Sequence, residues 1–256
     1  MHRSLSALVG VLFLSVSGQS TELKPSTERQ YREYLSKLEK RLDQRDNFLL
    51  MDSTAGLRAR VKAGEVHIAE NRPAHEPAGG LIHHYDGAVF IPGVTVKRVI
   101  EFVQNYDHHK QVYGPEVIDS KTLSRTGNDF HIRLRLLKKK LITVILETEH
   151  DVRYKALSLT RWESVSRSSK VAEVEAAGTH KEHELPPGTG HGFVWHLDSF
   201  WRFLQADGGV YVECTSVSLS RDIPFGMARL IRPIIEELPQ ESLRNVLVKT
   251  QEALKK

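Results

Sequence analysis

The chain has 256 residues, of which 40% are hydrophobic and 27% are charged, a balance that allows a packed core in one large domain or two small ones. The formal net charge is +4 at pH 7, and the basic residues are spread along the chain. Because they form neither a basic stripe nor a recognised nucleic-acid module, we expect no nucleic-acid partner. Cys214 is the only cysteine, so a disulfide within the chain is excluded.

Residues 1–20 have the pattern of a secretory signal peptide. His2 and Arg3 precede an apolar run from Leu5 to Val16, and small residues follow as far as Ser20. The run is short for a membrane span, and no later segment reaches that length. The sequence therefore predicts a secreted or periplasmic protein with no stable transmembrane segment after residues 1–20 are removed. Retention of this segment as an anchor is the alternative.

Residues 21–80 are predicted to form a helical extension with an edge strand. Residues 27–43 place apolar and aromatic side chains on one helical stripe, and a shorter helix is predicted over 53–62. Residues 65–70 then alternate like a strand, and 71–80 form a loop rich in proline and glycine.

Strand patterns dominate from residue 81 onward. A strand over 81–93 leads to short helices that end at Gly114-Pro115, and strand patterns then fill 116–176 and 193–221. In the first of these regions we predict two separate strands, "ALSLTRWESVSR" and "SKVAEVEA". The closing helix has an apolar stripe made of Leu243, Val246, Leu247, Thr250 and Leu254. Helices segregated to the ends of a run of antiparallel strands indicate an α+β fold, with one sheet face buried by the last helix.

This order of elements resembles the START-like, or SRPBCC, superfamily, which includes polyketide cyclases and lipid-transfer START domains. The resemblance covers residues 81–256. It rests on "GAVFIPGVTVKRVIEFVQNYDHHKQVYGPEVIDSKTL", which is similar to the family's strand, small-helix pair and next strand. It also rests on the strand pair "FVWHLDSFWRF…GVYVECTSVSLS" before a closing helix. The resemblance implies a helix-grip fold, in which a curved antiparallel β-sheet wraps around a long C-terminal α-helix and encloses an apolar cavity.

The aromatic residues of the last strand pair are the first candidates for the cavity wall. If the strand is regular, Phe193, Trp195, Leu197, Ser199, Trp201 and Phe203 share one face, which we expect to be the inner one. On the partner strand, one alternating set must be small enough to leave room for the helix. His150 lies on the apolar face of the hairpin 130–152, where it could anchor a polar ligand group. The expected ligand-binding residues are Phe90, His150, Trp162, Trp195, Trp201, Phe203, Tyr211 and Glu213.

Three functions remain open from the sequence. The first is binding of a hydrophobic or aromatic small molecule, or a lipid, in the cavity. The second is a cyclase, aromatase or hydrolase activity there, with His150, Glu213 and Asp198 as acid/base candidates. The third is an envelope interaction module with a vestigial cavity. No sequence feature indicates a cofactor, and the histidines around His180 and His183 lack a compact zinc-binding spacing.

Overall fold

The computed structural model describes residues 21–139, 143–223 and 233–255, so the predicted signal peptide lies outside the described residues. These residues form a nine-stranded antiparallel sheet of order β1-β2-β9-β8-β6-β5-β4-β3, with the short β7 paired to β6. The strands are β1 (His67–Asn71), β2 (Gly80–Pro92), β3 (Val117–Thr126), β4 (Asp129–Lys139), β5 (Thr143–Ala156), β6 (Arg161–Glu175), β7 (His183–Glu184), β8 (His196–Ala206) and β9 (Gly209–Arg221). The two strands predicted between residues 156 and 176 are one continuous strand, β6.

Five α-helices accompany the sheet in the described part of the chain. They are α1 (Pro25–Gln44), α2 (Leu57–Lys62), α3 (Val96–Val103), α4 (His109–Tyr113) and α5 (Leu238–Leu254). Short 3-10 turns cover Leu50–Ser53 and Tyr106–His108, and a π-helical turn over Pro233–Glu237 precedes α5. None of the described helices combines the length and apolarity needed to cross a bilayer. The predicted α+β helix-grip fold with an N-terminal helical extension is confirmed.

Helix α5 packs on one face of the sheet, which we call the cavity face. Leu243, Leu247 and Leu254 join a buried cluster with residues of β2 and β9, and Leu247 is completely buried. Gly87 in β2 makes this close packing possible, because a Cβ atom there would lie 2.6 Å from Cδ1 of Leu247. The apolar stripe predicted for the last helix therefore faces the sheet.

The opposite face of the sheet, which we call the back face, is also buried over β2, β8 and β9. Helix α1 covers one part of it, where Tyr31 and Leu35 pack with Trp195 and Leu219. The segment from Leu49 to Val61 covers the next part. The expectation of a single buried face is therefore wrong for this half of the sheet. The N-terminal extension provides a second apolar layer, so the strands it covers are buried on both sides.

The back face of β4 and β5 is charged instead of apolar. Arg133 Nη1 lies 2.8 Å from Glu147 Oε1, and His131 Nδ1 lies 2.9 Å from Asp151 Oδ1. The side chains alternate along both strands as the sequence predicts, with the apolar set on the cavity face. The back face of the sheet is thus covered by the extension over β2, β8 and β9, and it carries ion pairs over β4 and β5.

Candidate ligand-binding site

A cavity of about 290 Å³ lies between the sheet, helices α3 and α4, and helix α5. Its wall is mainly apolar. The sheet contributes Ile132, Leu134, Leu146, Val152, Trp201 and Phe203. Helix α5 adds Leu243 and Val246, and Tyr106 and Tyr113 form the side near the short helices. The cavity thus lies between the sheet and the helix that the helix-grip fold brings together.

The cavity exists because several inward-facing side chains of adjacent strands are small. Ser166 in β6 pairs with Ser199 in β8, which in turn pairs with Ser216 in β9, so three hydroxyl side chains form a row across the sheet. Cys214 and Ser218 line the cavity on either side of Ser216. The expectation that one alternating set of the last strand must be small is confirmed. The row also supplies uncharged hydrogen-bonding groups within an apolar wall.

His150 is a polar group within this wall and is nearly inaccessible to solvent, with 6% exposure. Thr148 Oγ1 donates its proton to the Leu134 carbonyl and lies 3.1 Å from His150 Nε2, so that nitrogen must carry a proton and donate. His150 Nδ1, 3.5 Å from Ser166 Oγ, is then the acceptor. Burial lowers the pKa of His150 to about 4, so the ring is neutral at pH 7. It can orient a neutral ligand group but cannot supply a charge.

The residues expected to bind ligand divide between the two faces. His150, Trp201 and Phe203 line the cavity. Trp162 is partly buried on the same face, packed against the cluster that includes Phe203. Trp201 Nε1 donates to Ser199 Oγ at 3.0 Å, which fixes the indole against the row of serines. Whether these four residues contact a ligand stays a prediction.

Trp195 does not face the cavity, contrary to expectation. The regular strand β8 begins only at His196. The alternation of inward and outward side chains therefore does not extend back to Trp195. Its backbone N–H donates to the Leu219 carbonyl at 2.7 Å. Its ring is buried on the back face in the cluster formed with α1. Trp195 is therefore part of the packing of the extension.

Phe90, Tyr211 and Glu213 were also placed wrongly, because they belong to the outward phase of β2 and β9. The Phe90 and Tyr211 rings lie 4.6 Å apart in the cluster with Leu49 and Met51. Glu213 accepts hydrogen bonds from the backbone N–H groups of Leu50 at 2.8 Å and Met51 at 3.0 Å. Burial raises the pKa of Glu213, while these two hydrogen bonds act in the opposite direction. The carboxylate anchors the extension and does not reach the cavity.

Asp198 is likewise held on the back face. Tyr31 of α1 donates to its Oδ2 at 2.6 Å, and burial raises the pKa of Asp198. Two of the three acid/base candidates, Glu213 and Asp198, are therefore engaged with the extension. His150 is the one candidate of the three whose side chain is not engaged with the extension.

One end of the cavity is polar, which the sequence analysis missed. Lys138 Nζ donates to Glu116 Oε2 at 3.0 Å and to Ser242 Oγ at 2.5 Å. Asn245 donates to the other oxygen of Glu116, and Lys249 donates to the Gly114 carbonyl. Burial acts to raise the pKa of Glu116, but Lys138 and the hydrogen bonds outweigh it, so the pKa is lowered. These groups come from β4, the segment before β3, and α5, and no sequence spacing connects them.

No group of three histidine, cysteine or acidic side chains lies together in the described ranges in a way that could hold a metal ion. The side chain of His183 in β7 is 57% exposed; its Nε2 lies 3.8 Å from Glu175 Oε2, and its Nδ1 lies 3.0 Å from the Lys181 carbonyl oxygen.

No protein-family model matches the chain, and no curated protein matches its sequence. Solved structures with a similar fold include a STAR-related lipid transfer protein from Xanthomonas axonopodis, with 16% identity over 74% of this chain and 99% of that chain, at a TM-score of 0.45. The human StarD13 lipid transfer and protein localization domain has 7% identity over 78% of this chain and 94% of that one, at a TM-score of 0.46. The Zhui aromatase/cyclase from a Streptomyces species has 13% identity over 68% of this chain and 94% of that chain, at a TM-score of 0.39. This distant likeness does not identify a ligand for this chain.

Proposed function

We propose that the chain is an exported protein that binds a largely apolar small molecule or lipid in the cavity between the sheet and α5. The observation that carries this proposal is the cavity of about 290 Å³ with a mainly apolar wall. Burial of apolar ligand surface would supply the affinity, at about 25 cal/mol per Å². The hydroxyl row and the neutral His150 would orient the ligand.

The same geometry weighs against the two alternatives. Of the three acid/base candidates predicted from the sequence, Glu213 and Asp198 bond to the extension on the back face, and Glu116 at the polar end of the cavity is already paired with Lys138. A vestigial cavity would be filled by large side chains, whereas Ser199 and Ser216 keep this one open. Ligand binding is therefore the function that the described residues support best.

Indole fluorescence offers a direct test, because Trp201 and Trp195 lie on opposite faces of the sheet. The double variant Trp162→Phe/Trp195→Phe keeps only the cavity indole, and Trp162→Phe/Trp201→Phe keeps only the indole of the back face. Fatty acids, sterols and flat aromatic compounds would be titrated into both. We expect a saturable change in intensity or wavelength only in the variant that keeps Trp201. No response to any ligand class would refute the proposal.

A cavity-filling variant provides an independent check. Ser216→Phe should remove binding, because a phenyl ring there would occupy the centre of the hydroxyl row. The matched control is Ser124→Phe, since Ser124 is exposed on β3. Binding that survives in folded Ser216→Phe would place the ligand elsewhere.

A further inference from the structure

The charged groups at the polar end of the cavity do not balance. Asp198 also borders the cavity, but Tyr31 of α1 donates to its carboxylate on the back face of the sheet. Glu116, Lys138 and Lys249 line the polar end, and Glu116 is paired with Lys138. Lys249 is half-buried, and its ammonium donates to the Gly114 carbonyl and makes no ion pair with a carboxylate of the described residues. Residues 1–20, 140–142, 224–232 and 256 contain no aspartate or glutamate, so they supply no acidic partner either. The polar end of the cavity therefore has one cation in excess.

The arrangement on α5 directs this cation toward the cavity. Ser242, Asn245 and Lys249 are three and four residues apart, which places them on one helical face beside the apolar stripe. All three border the cavity. An ammonium that is partly removed from water and lacks a counter-ion is unfavourable, and an anionic group brought in by a ligand would relieve that cost. The neutral donors Ser242 and Asn245 could add hydrogen bonds to the same group.

From this imbalance we propose that the ligand is an amphipath with one anionic head, a carboxylate or a phosphate, which binds at Lys249. Its apolar body then extends past the row of serines toward Trp201 and Phe203. The inference rests on the proposed function and specifies the class of ligand. A cationic head is disfavoured because the carboxylate of Glu116 is already engaged by Lys138 and Asn245.

The test compares four ligands with the same chain length: dodecanoic acid, dodecyl phosphate, dodecanol and methyl dodecanoate. Binding is followed by calorimetry in the wild type and by Trp201 fluorescence in the Trp162→Phe/Trp195→Phe variant. At least one of the two anions should bind about tenfold more tightly than the two neutral compounds, as a charge-assisted contact implies. The comparison of the acid with the phosphate shows which head group the site prefers.

Three variants assign the effect to the site. Lys249→Met should remove the preference for anions while the neutral ligands still bind, and Lys249→Arg should restore it. Lys97→Met is the matched control and should keep the preference, because the Lys97 side chain is 84% exposed. Circular dichroism checks that each variant is folded.

The outcomes separate this inference from the proposed function. If neutral and anionic ligands bind the wild type equally, or if folded Lys249→Met keeps the preference, the anionic head is wrong and the binding cavity stands. If none of the four ligands binds, and sterols and flat aromatic compounds do not bind either, both proposals are wrong.

Discussion

The contact between Leu247 of α5 and Gly87 of β2 provides a quantitative test of the helix-grip core. Leu247→Ala removes a fully buried side chain and leaves a void, which should lower the free energy of unfolding by about 2–5 kcal/mol. Gly87→Ala adds a methyl group 2.6 Å from Leu247 Cδ1 and 3.0 Å from Leu243 Cδ2. This overpacking should cost about 1–3 kcal/mol.

The two changes should compensate when they are combined. The methyl group of Gly87→Ala would then occupy space that Leu247→Ala has vacated, so the void and the overpacking both shrink. We expect the double variant to lose about 1 kcal/mol less than the sum of the single losses. In the double variant the new methyl group of Gly87→Ala would still lie 2.9 Å from the Ile68 side chain, which must shift. The compensation is therefore incomplete.

Urea unfolding followed by circular dichroism measures all four free energies. The control cycle uses Gly80→Ala in the same strand, where the new atom would meet Thr27 and Leu219 and not α5. The losses in free energy of unfolding caused by Gly80→Ala and Leu247→Ala should add within about 0.5 kcal/mol. If the Gly87 pair is equally additive, α5 does not rest on β2 at this point and the packing described above is wrong.

Buried titratable groups and the N-terminal segment give further tests. Burial lowers the pKa of His150 from 6.5 to about 4, so the unfolded chain takes up this proton first and stability present above pH 6.5 is lost toward pH 4. In urea melts, His150→Gln should therefore show a shallower pH dependence, by up to about 1.4 kcal/mol per pH unit; an unchanged slope contradicts this. Glu213→Gln should lower the free energy of unfolding by about 1–3 kcal/mol, because one acceptor for the Leu50 and Met51 N–H groups is replaced by a donor. Exposed Glu175→Gln is its control, and equal stability of the two variants would show that the anchor is unimportant. Finally, intact mass of protein from the native host should show that residues 1–20 are absent; an N-terminus at Met1 would overturn export with cleavage.

The sequence predicted the elements well because their hydrophobic periods are strong. The hairpin of β4 and β5 alternates over its whole length, and the closing helix keeps its apolar stripe. Periodicity shows that two sets of side chains face opposite ways, but it does not show which set faces the cavity. In β2 and β9 both sets are buried, because the extension covers the back face and α5 covers the other. Phe90 and Tyr211 were misassigned for this reason, and Trp195 was misassigned because the regular strand β8 begins only after it.

The polar end of the cavity was not predictable for a different reason. Glu116, Lys138 and Lys249 are far apart in the sequence, and each is an unremarkable charged residue within its own segment. Their proximity depends on how α5 crosses the sheet, which is a property of the packed fold. His150 could be found because its strand phase alone placed it on the apolar face.

The unequal cover of the sheet implies unequal resistance to local opening. The strands β2, β8 and β9 are enclosed between the extension and α5, so their amides should exchange with solvent deuterium only when the whole domain unfolds. Among the described residues no apolar layer lies behind β3 and β4, and β3 is a terminal strand of the sheet. Their amides should exchange through smaller fluctuations. Glu116 and Lys138 belong to this loosely supported side, so a ligand could enter or leave there while the enclosed strands stay intact.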